Sequence, residues 1–115
     1  MYQLLEVSSQ TTSPFSWKAY HQTIQKLLQL DPSIHLFYHP SEEEFRQMIL
    51  GRNQYSKGNF KTFTFFEGEE CAGLLEVMLQ PKLAYLSVLP SHCNEKLVDC
   101  LSIVYSSFNP KQILY

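Results

Sequence analysis

The chain has little charge and no long hydrophobic run. Charged residues make up 17% of its 115 residues and the formal net charge is −2, so it lacks the basic excess that favours binding to a nucleic-acid backbone or an anionic membrane. Its apolar runs are far shorter than the roughly 20 residues of a transmembrane helix, and its N-terminus lacks a signal-peptide pattern. We therefore expect a cytoplasmic protein that binds neither nucleic acid nor membrane.

The chain also has few cysteines, and their pattern excludes a disulfide framework. Cys71, Cys93 and Cys100 are odd in number and show no C-x-x-C spacing, as is typical of a reducing compartment. Cys93 lies near a predicted helix N-terminus, where a thiol pKa can be lowered, but the adjacent His92 is its one identifiable partner. The sequence therefore does not favour nucleophilic catalysis.

The spacing of His35 and His39 does not predict a metal site. Residues four apart share a helical face, but Pro40 disfavours helix at His39 and no second ligand pair is evident. We expect no metal.

Apolar residues make up 44% of the chain, which predicts one globular domain over residues 1–115. Hydrophobic spacing and turn signals predict two helices after an edge strand. The elements predicted in this half are a strand at Tyr2–Val7, a helix capped by Ser13 with Pro14 in its first turn and ended by Asp31-Pro32, a loop or extended linker at Ile34–Tyr38, and a helix that starts with a Ser41/Glu44 capping box and ends near Gly51.

From Phe60 the hydrophobic period becomes that of strands. The predicted elements are strands at Phe60–Phe66, Cys71–Met78 and Leu83–Leu89, a helix at Leu97–Phe108, and a last strand at Gln112–Tyr115. The fold class is therefore α+β, in the order β-α-α-β-β-β-α-β. We expect the first three of these strands to form one antiparallel meander covered by the last helix, with Leu101 and Val104 among the buried residues.

The segment AYLSVLPSH, which precedes an amphipathic helix, together with this element order resembles the GNAT acyltransferase superfamily. The resemblance implies a GNAT-like fold truncated after the fifth strand. In the family, a loop resembling V-x-P-x-x-[RQ]-G-x-G-x-[GA] holds the pyrophosphate of acyl-CoA at the helix N-terminus. Val88 and Pro90 match this loop. At the remaining positions Cys93 replaces Arg or Gln, and Asn94, Lys96 and Val98 replace the small residues.

These replacements predict weak or lost acyl-CoA binding. Glycine lets a backbone approach phosphate closely, and Val98 does not suit that need. Glu95 adds a carboxylate near the expected pyrophosphate, which Lys96 offsets in part. The cofactor-binding residues that the resemblance implies, if acyl-CoA binds, are Ser87, Val88, Leu89, Asn94, Glu95 and Lys96.

The catalytic residues are not identified by the sequence. The resemblance implies a general base near the meander, and Glu76 is the one meander carboxylate outside the turn. Its alternation with Leu75 and Val77 favours a solvent-facing side chain over a catalytic one.

Two functions follow from the resemblance. The first is an acetyltransferase-like domain with weak or lost acyl-CoA binding, no cofactor, and a structural or interaction role. The alternative is an active N-acyltransferase that moves an acetyl group from acetyl-CoA, as cosubstrate, to an amine, with the rest of the site supplied by another chain or domain. Because the last strand leaves an apolar sheet edge, we also expect a second domain or a homodimer partner to complete the sheet.

Overall fold

The computed structural model describes residues 2–80, 82–108 and 112–114, and their side chains except those of residues 101, 103–108 and 112–114. The predicted order β-α-α-β-β-β-α-β is confirmed, with two short 3₁₀ helices added. The elements are β1 (Tyr2–Glu6), α1 (Trp17–Leu30), a 3₁₀ helix (Pro32–Phe37), α2 (Glu42–Tyr55), β2 (Phe60–Glu67), β3 (Glu70–Met78), β4 (Leu83–Val88), a 3₁₀ helix (Pro90–His92), α3 (Glu95–Phe108) and β5 (Gln112–Leu114).

The strands form one sheet in the order β1-β2-β3-β4-β5. The first four pair antiparallel, so the predicted meander is confirmed, and β5 pairs parallel with the first half of β4. Both faces of the sheet are covered. One core lies between the sheet and α1 and α2, around Tyr20, Phe45 and Leu74. The other lies on the α3 side, around Tyr2, Leu75 and Leu97.

A β-bulge in β3 changes which residues face each core. The register shifts between Phe65 and Phe66, which pair with Gly73 and Cys71, so Ala72 is an extra residue without a partner on β2. Just after it, β3 and β4 come unusually close. A Cβ atom on Gly73 would lie 2.3 Å from the Ser87 carbonyl oxygen, so this pairing requires glycine.

The boundaries of both N-terminal helices differ from the sequence prediction. Ser16, not Ser13, caps α1, because Pro14 belongs to the preceding loop. The apolar segment after α1 is a 3₁₀ helix rather than an extended linker, and its Ile34 is fully buried. α2 continues to Tyr55, one turn beyond Gly51, and Arg52 and Asn53 in this last turn both donate hydrogen bonds to the Thr62 hydroxyl on β2.

The helix starts at α2 and α3 are supported by polar side chains. The Ser41 hydroxyl accepts a hydrogen bond from the Glu44 N–H, as predicted, but the Glu44 carboxylate pairs with His39 at 2.7 Å instead of completing a capping box.

α3 covers the second face through Leu97, which is buried. The predicted burial of the Leu101 and Val104 side chains lies outside the described residues. None of the described helices is long and apolar enough to cross a membrane.

Candidate functional site

The turn between β4 and α3 is the place where the sequence predicts an acyl-CoA pyrophosphate loop. Pro90–His92 form a 3₁₀ turn, and α3 begins at Glu95. The side chain of Asn94 caps this helix, because its Oδ1 accepts the Leu97 N–H at 3.0 Å, and its carbonyl accepts the Val98 N–H at 3.2 Å. Two N–H groups at the start of α3 are therefore bonded within the chain.

A residue from the other end of the sequence completes this turn. The Tyr2 hydroxyl lies 2.8 Å from His92 Nδ1 and accepts a hydrogen bond from Asn94 Nδ2 at 2.9 Å. The Tyr2 and His92 rings meet edge to face, and both side chains are buried. On the outer side, His92 Nε2 lies 4.0 Å from a Glu70 carboxylate oxygen. The turn is thus held by the Tyr2 side chain of β1 and by its own polar groups.

The surface beside the start of α3 is rich in carboxylates. A surface depression of about 480 Å³ there is lined by Glu67, Asn94, Glu95 and Lys96. Two of these four residues carry a carboxylate and one carries an ammonium group. A pyrophosphate placed in this depression would meet more negative than positive charge from its lining.

The last residues of β4 differ in the direction of their peptide groups. The Leu89 N–H donates to the Ala72 carbonyl at 2.9 Å. Because peptide groups alternate between the two edges of an antiparallel strand, Ser87 and Leu89 direct theirs toward β3, while Leu86 and Val88 direct theirs to the opposite edge. Of the three binding residues predicted here, Ser87, Val88 and Leu89, only Val88 therefore directs its peptide groups to that edge. Leu86, which the sequence analysis did not select, directs its peptide groups to the same edge.

Glu76 does not face solvent, and that prediction is wrong. Its side chain is only 5% exposed because it lies on the face that α1 and α2 cover. Arg52, on the last part of α2, donates a hydrogen bond and forms an ion pair to Glu76 Oε2. Among the described residues, Glu76 Oε1 has no hydrogen-bond partner. Alternation alone failed here because both faces of the sheet are buried.

Burial controls the ionisation of this carboxyl group. It raises the pKa of Glu76, and the positive charge of Arg52 together with hydrogen bonding to Thr62 and Arg52 opposes this effect only in part. The pKa of the fully buried Tyr20 is also raised, first by burial and then by the charge of Glu76. The environment of Glu76 is therefore that of a buried ion pair.

A second polar cluster joins β4 to the 3₁₀ helix after α1. The Tyr85 hydroxyl donates to Asp31 Oδ2 at 2.6 Å and lies 2.7 Å from the Ser33 hydroxyl. The pKa of Asp31 is lowered, mainly by the bond from Tyr85 and then by Ser33. Tyr85 lies directly across from Glu76 on the sheet. No sequence signal could have joined these residues, since Asp31 and Tyr85 are 54 residues apart.

The remaining chemically suggestive residues make local contacts. His35 Nδ1 bonds the Pro32 carbonyl, and His39 bonds the Ser41 N–H and Glu44. Cys93 is exposed, with its thiol 3.6 Å from the Leu89 carbonyl. In the part of the chain that the structure describes, no group of three potential metal ligands comes together.

No protein-family model and no curated protein matches this sequence. Solved structures do match it over nearly its whole length. An aminoglycoside acetyltransferase from an uncultured soil metagenomic sample matches 99% of this chain and 78% of its own, with 12% identity and a TM-score of 0.54. The chain has the GNAT fold. A putative GNAT family acetyltransferase from Staphylococcus aureus matches 97% of this chain and 98% of its own, with 13% identity and a TM-score of 0.55.

Glucosamine-6-phosphate N-acetyltransferase from Arabidopsis thaliana matches 99% of this chain and 80% of its own, with 13% identity and a TM-score of 0.51. At these identities the likeness concerns the GNAT fold. The predicted α+β class is confirmed by this match and by the observed sheet.

Proposed function

We propose that this chain is an acetyltransferase-like GNAT domain in which acyl-CoA binding is weak or lost and which has a structural or interaction role. One observation carries the proposal: the Asn94 side chain, itself held by Tyr2, takes the Leu97 N–H at the start of α3. In a phosphate-binding turn such N–H groups point to the anion. Here the chain satisfies one of them with its own amide oxygen.

The electrostatics of the turn support the same conclusion. Each charge-assisted hydrogen bond to a phosphate contributes roughly 1.5–3 kcal/mol, so the loss of one weakens binding by about one to two factors of ten. Glu95 adds repulsion at the adjoining surface depression. What remains is the edge of β4 at Leu86 and Val88, which offers peptide groups to a pantetheine-like arm without anchoring its phosphates.

Calorimetric titration with acetyl-CoA tests the proposal. We expect the unmodified chain to bind with a dissociation constant near 1 mM or weaker, about −4 kcal/mol. A restored variant carries Asn94→Gly, Lys96→Gly, Val98→Gly and Cys93→Arg, and we expect it to bind more tightly. Cys93→Arg alone is the matched control, because it adds the positive charge without the glycines, and circular dichroism checks that each variant is folded.

The titration has a clear contrary outcome. If the unmodified chain binds acetyl-CoA at micromolar concentration, the proposal that binding is weak or lost is wrong. The alternative, an active N-acyltransferase, is then favoured. If Cys93→Arg alone binds as tightly as the full restoration, missing charge rather than the Asn94 cap is the cause.

The interaction role is proposed to involve the sheet edge at β5. β5 pairs with β4 through Gln112, Ile113 and Leu114, and an edge strand offers its other side to a further strand. We propose that a second copy or a partner domain pairs there. Light scattering at rising protein concentration checks the homodimer form, and a mass that stays monomeric at millimolar concentration contradicts that form.

A further inference from the structure

Arg52 connects four elements of the molecule at one point. From α2 its guanidinium reaches Glu76 on β3 and the Thr62 hydroxyl on β2, the latter at 2.8 Å. It also lies 5.9 Å from the centre of the Phe37 ring in the 3₁₀ helix after α1, and 5.4 Å from that of Phe60 at the start of β2. Both distances allow cation–π attraction. The last turn of α2 is therefore attached to the sheet through Arg52 and through Asn53, whose Nδ2 donates to the Thr62 hydroxyl at 2.9 Å. Arg52 is the charged one of these two attachments.

The other half of this contact is a carboxylate that burial disfavours. Glu76 is 5% exposed, whereas the Arg52 side chain is 26% exposed and so has access to water. One carboxylate oxygen has no hydrogen-bond partner among the described residues. An ionised carboxylate in this place depends on Arg52, because without it the buried charge would be uncompensated.

We propose that the Arg52–Glu76 pair is a pH-sensitive latch, which holds the last turn of α2 on the sheet when Glu76 is ionised and releases it when Glu76 is protonated. The reason lies in the charge balance. While Glu76 is ionised, Arg52 cannot leave without exposing a buried charge to an apolar environment. Once Glu76 is neutral that penalty disappears, and the guanidinium turns toward water.

The groups that pack around Glu76 leave it as the residue whose charge changes in mildly acidic solution. From α1 it faces Tyr20, from β4 it faces Tyr85, and Cys71 lies on its own strand. The pKa of each of these three groups is raised, first by burial, so all three stay neutral at and below pH 7. The carboxylate of Asp31 accepts a hydrogen bond from the Tyr85 hydroxyl, and its pKa is lowered. Burial raises the pKa of Glu76 itself, so the latch opens at a higher pH than that at which exposed glutamates protonate.

Residue-resolved hydrogen exchange in the unmodified chain tests the latch. We expect the protection factors of the Asn53, Gln54 and Tyr55 amides, corrected for intrinsic exchange, to fall on the order of tenfold from about pH 7 to about pH 5, in line with the loss of a charge-assisted hydrogen bond. The Leu74 amide in the centre of the sheet is the internal reference and should stay protected. A carboxyl carbon titration of Glu76 by NMR should have the same midpoint as the loss of protection.

Two variants sharpen the test. Glu76→Gln keeps the shape of the side chain but fixes it neutral, and we expect low protection of the last α2 turn at every pH. Glu44→Gln is the matched control, because Glu44 is an exposed glutamate of the same helix that pairs with His39. That control should keep the full pH dependence.

The outcomes decide the proposal. If protection of the last α2 turn does not change while Glu76 titrates, the latch is refuted, and this result needs no variant. High protection at pH 7 in a folded Glu76→Gln variant refutes it as well. Coinciding midpoints in the unmodified chain, abolished by Glu76→Gln and kept by Glu44→Gln, support it.

Discussion

Below α2 the sheet carries an ion pair, Arg52–Glu76. Below the start of α3 it carries a hydrogen-bonded cluster, Tyr2, His92 and Asn94, with the Glu70 carboxylate 4.0 Å from His92 on the outer side. The first cluster depends on two opposite charges, so the removal of one leaves the other buried and uncompensated. The second cluster satisfies each polar group with a neighbour, so the removal of a side chain costs one or two hydrogen bonds. The comparison separates a region that is sensitive to charge from one that is held by hydrogen bonds.

The largest effect is expected at Arg52. Arg52→Ala leaves the buried Glu76 carboxylate without its partner, and we expect a loss of about 3–5 kcal/mol in the free energy of unfolding at pH 7. Urea denaturation measures it. Arg46→Ala is the control on the same helix, since Arg46 lies 5.6 Å from the centre of the Trp17 ring and should cost about 1 kcal/mol or less. Equal costs for the two variants would show that Glu76 does not need Arg52.

The next largest effect on stability is expected at Gly73, where β3 and β4 come close together. In Gly73→Ala the new methyl group would clash with the backbone of Ser87 and Val88, so β3 and β4 must move apart, at about 1–3 kcal/mol. Thermal unfolding measures the loss. Gly51→Ala is the matched control, because a Cβ there meets nothing within 4 Å, and helix propensity predicts a gain of up to about 1 kcal/mol. A neutral Gly73→Ala variant would contradict the close approach of the strands.

A smaller effect is expected in the hydrogen-bonded cluster of Tyr2, His92 and Asn94. Asn94→Ala removes the cap of the Leu97 N–H and the bond to Tyr2, at about 1–2 kcal/mol. Hydrogen exchange should show faster exchange at Leu97, and Tyr2→Phe, which keeps the ring, should cost less than Asn94→Ala. A loss as large as that of Arg52→Ala would remove the distinction between the two clusters.

The smallest effect is a change in pH dependence. Because the pKa of Glu76 is raised by burial in the folded state, its contribution to stability is fully present below the ordinary glutamate pKa and is lost as the pH rises through the folded-state pKa. The cost of Glu76→Gln relative to the unmodified chain should therefore shrink as the pH rises from about 4 to 7. Urea denaturation at several pH values measures it, and a cost that grows with pH would show that Arg52 outweighs burial.

Much of the fold was predictable because its signals are local. The period change at Phe60 separates helices from strands, and Ser41 caps α2 as its spacing with Glu44 predicts. The β2–β3 hairpin forms at the predicted turn. The error at Ser13 arose because two serines three positions apart precede the helix, of which the structure uses Ser16 as the cap. The end of α2 was predicted too early because glycine at the end of a helical pattern favours helix termination. Contacts with the sheet made by residues beyond Gly51 extend the helix, and the local sequence does not show them.

The candidate site was predictable in part. The sequence located the turn between β4 and α3. It could not identify Tyr2, which is 92 residues from Asn94, or Leu86, whose peptide direction depends on the pairing of β4 with β3.

The sequence by itself determined the element order and the apolar stripes of the helices, because each depends on residues a few positions apart. It also shows directly which residues stand at positions 94, 96 and 98. Only the tertiary structure decided that Glu76 is buried, that Arg52 pairs with it from 24 residues away, and that Tyr2 holds Asn94. Alternation along a strand shows which residues share a face, but not what covers that face. The burial of a charge is fixed by what packs on it, and here that is a helix whose last turn the local pattern did not predict.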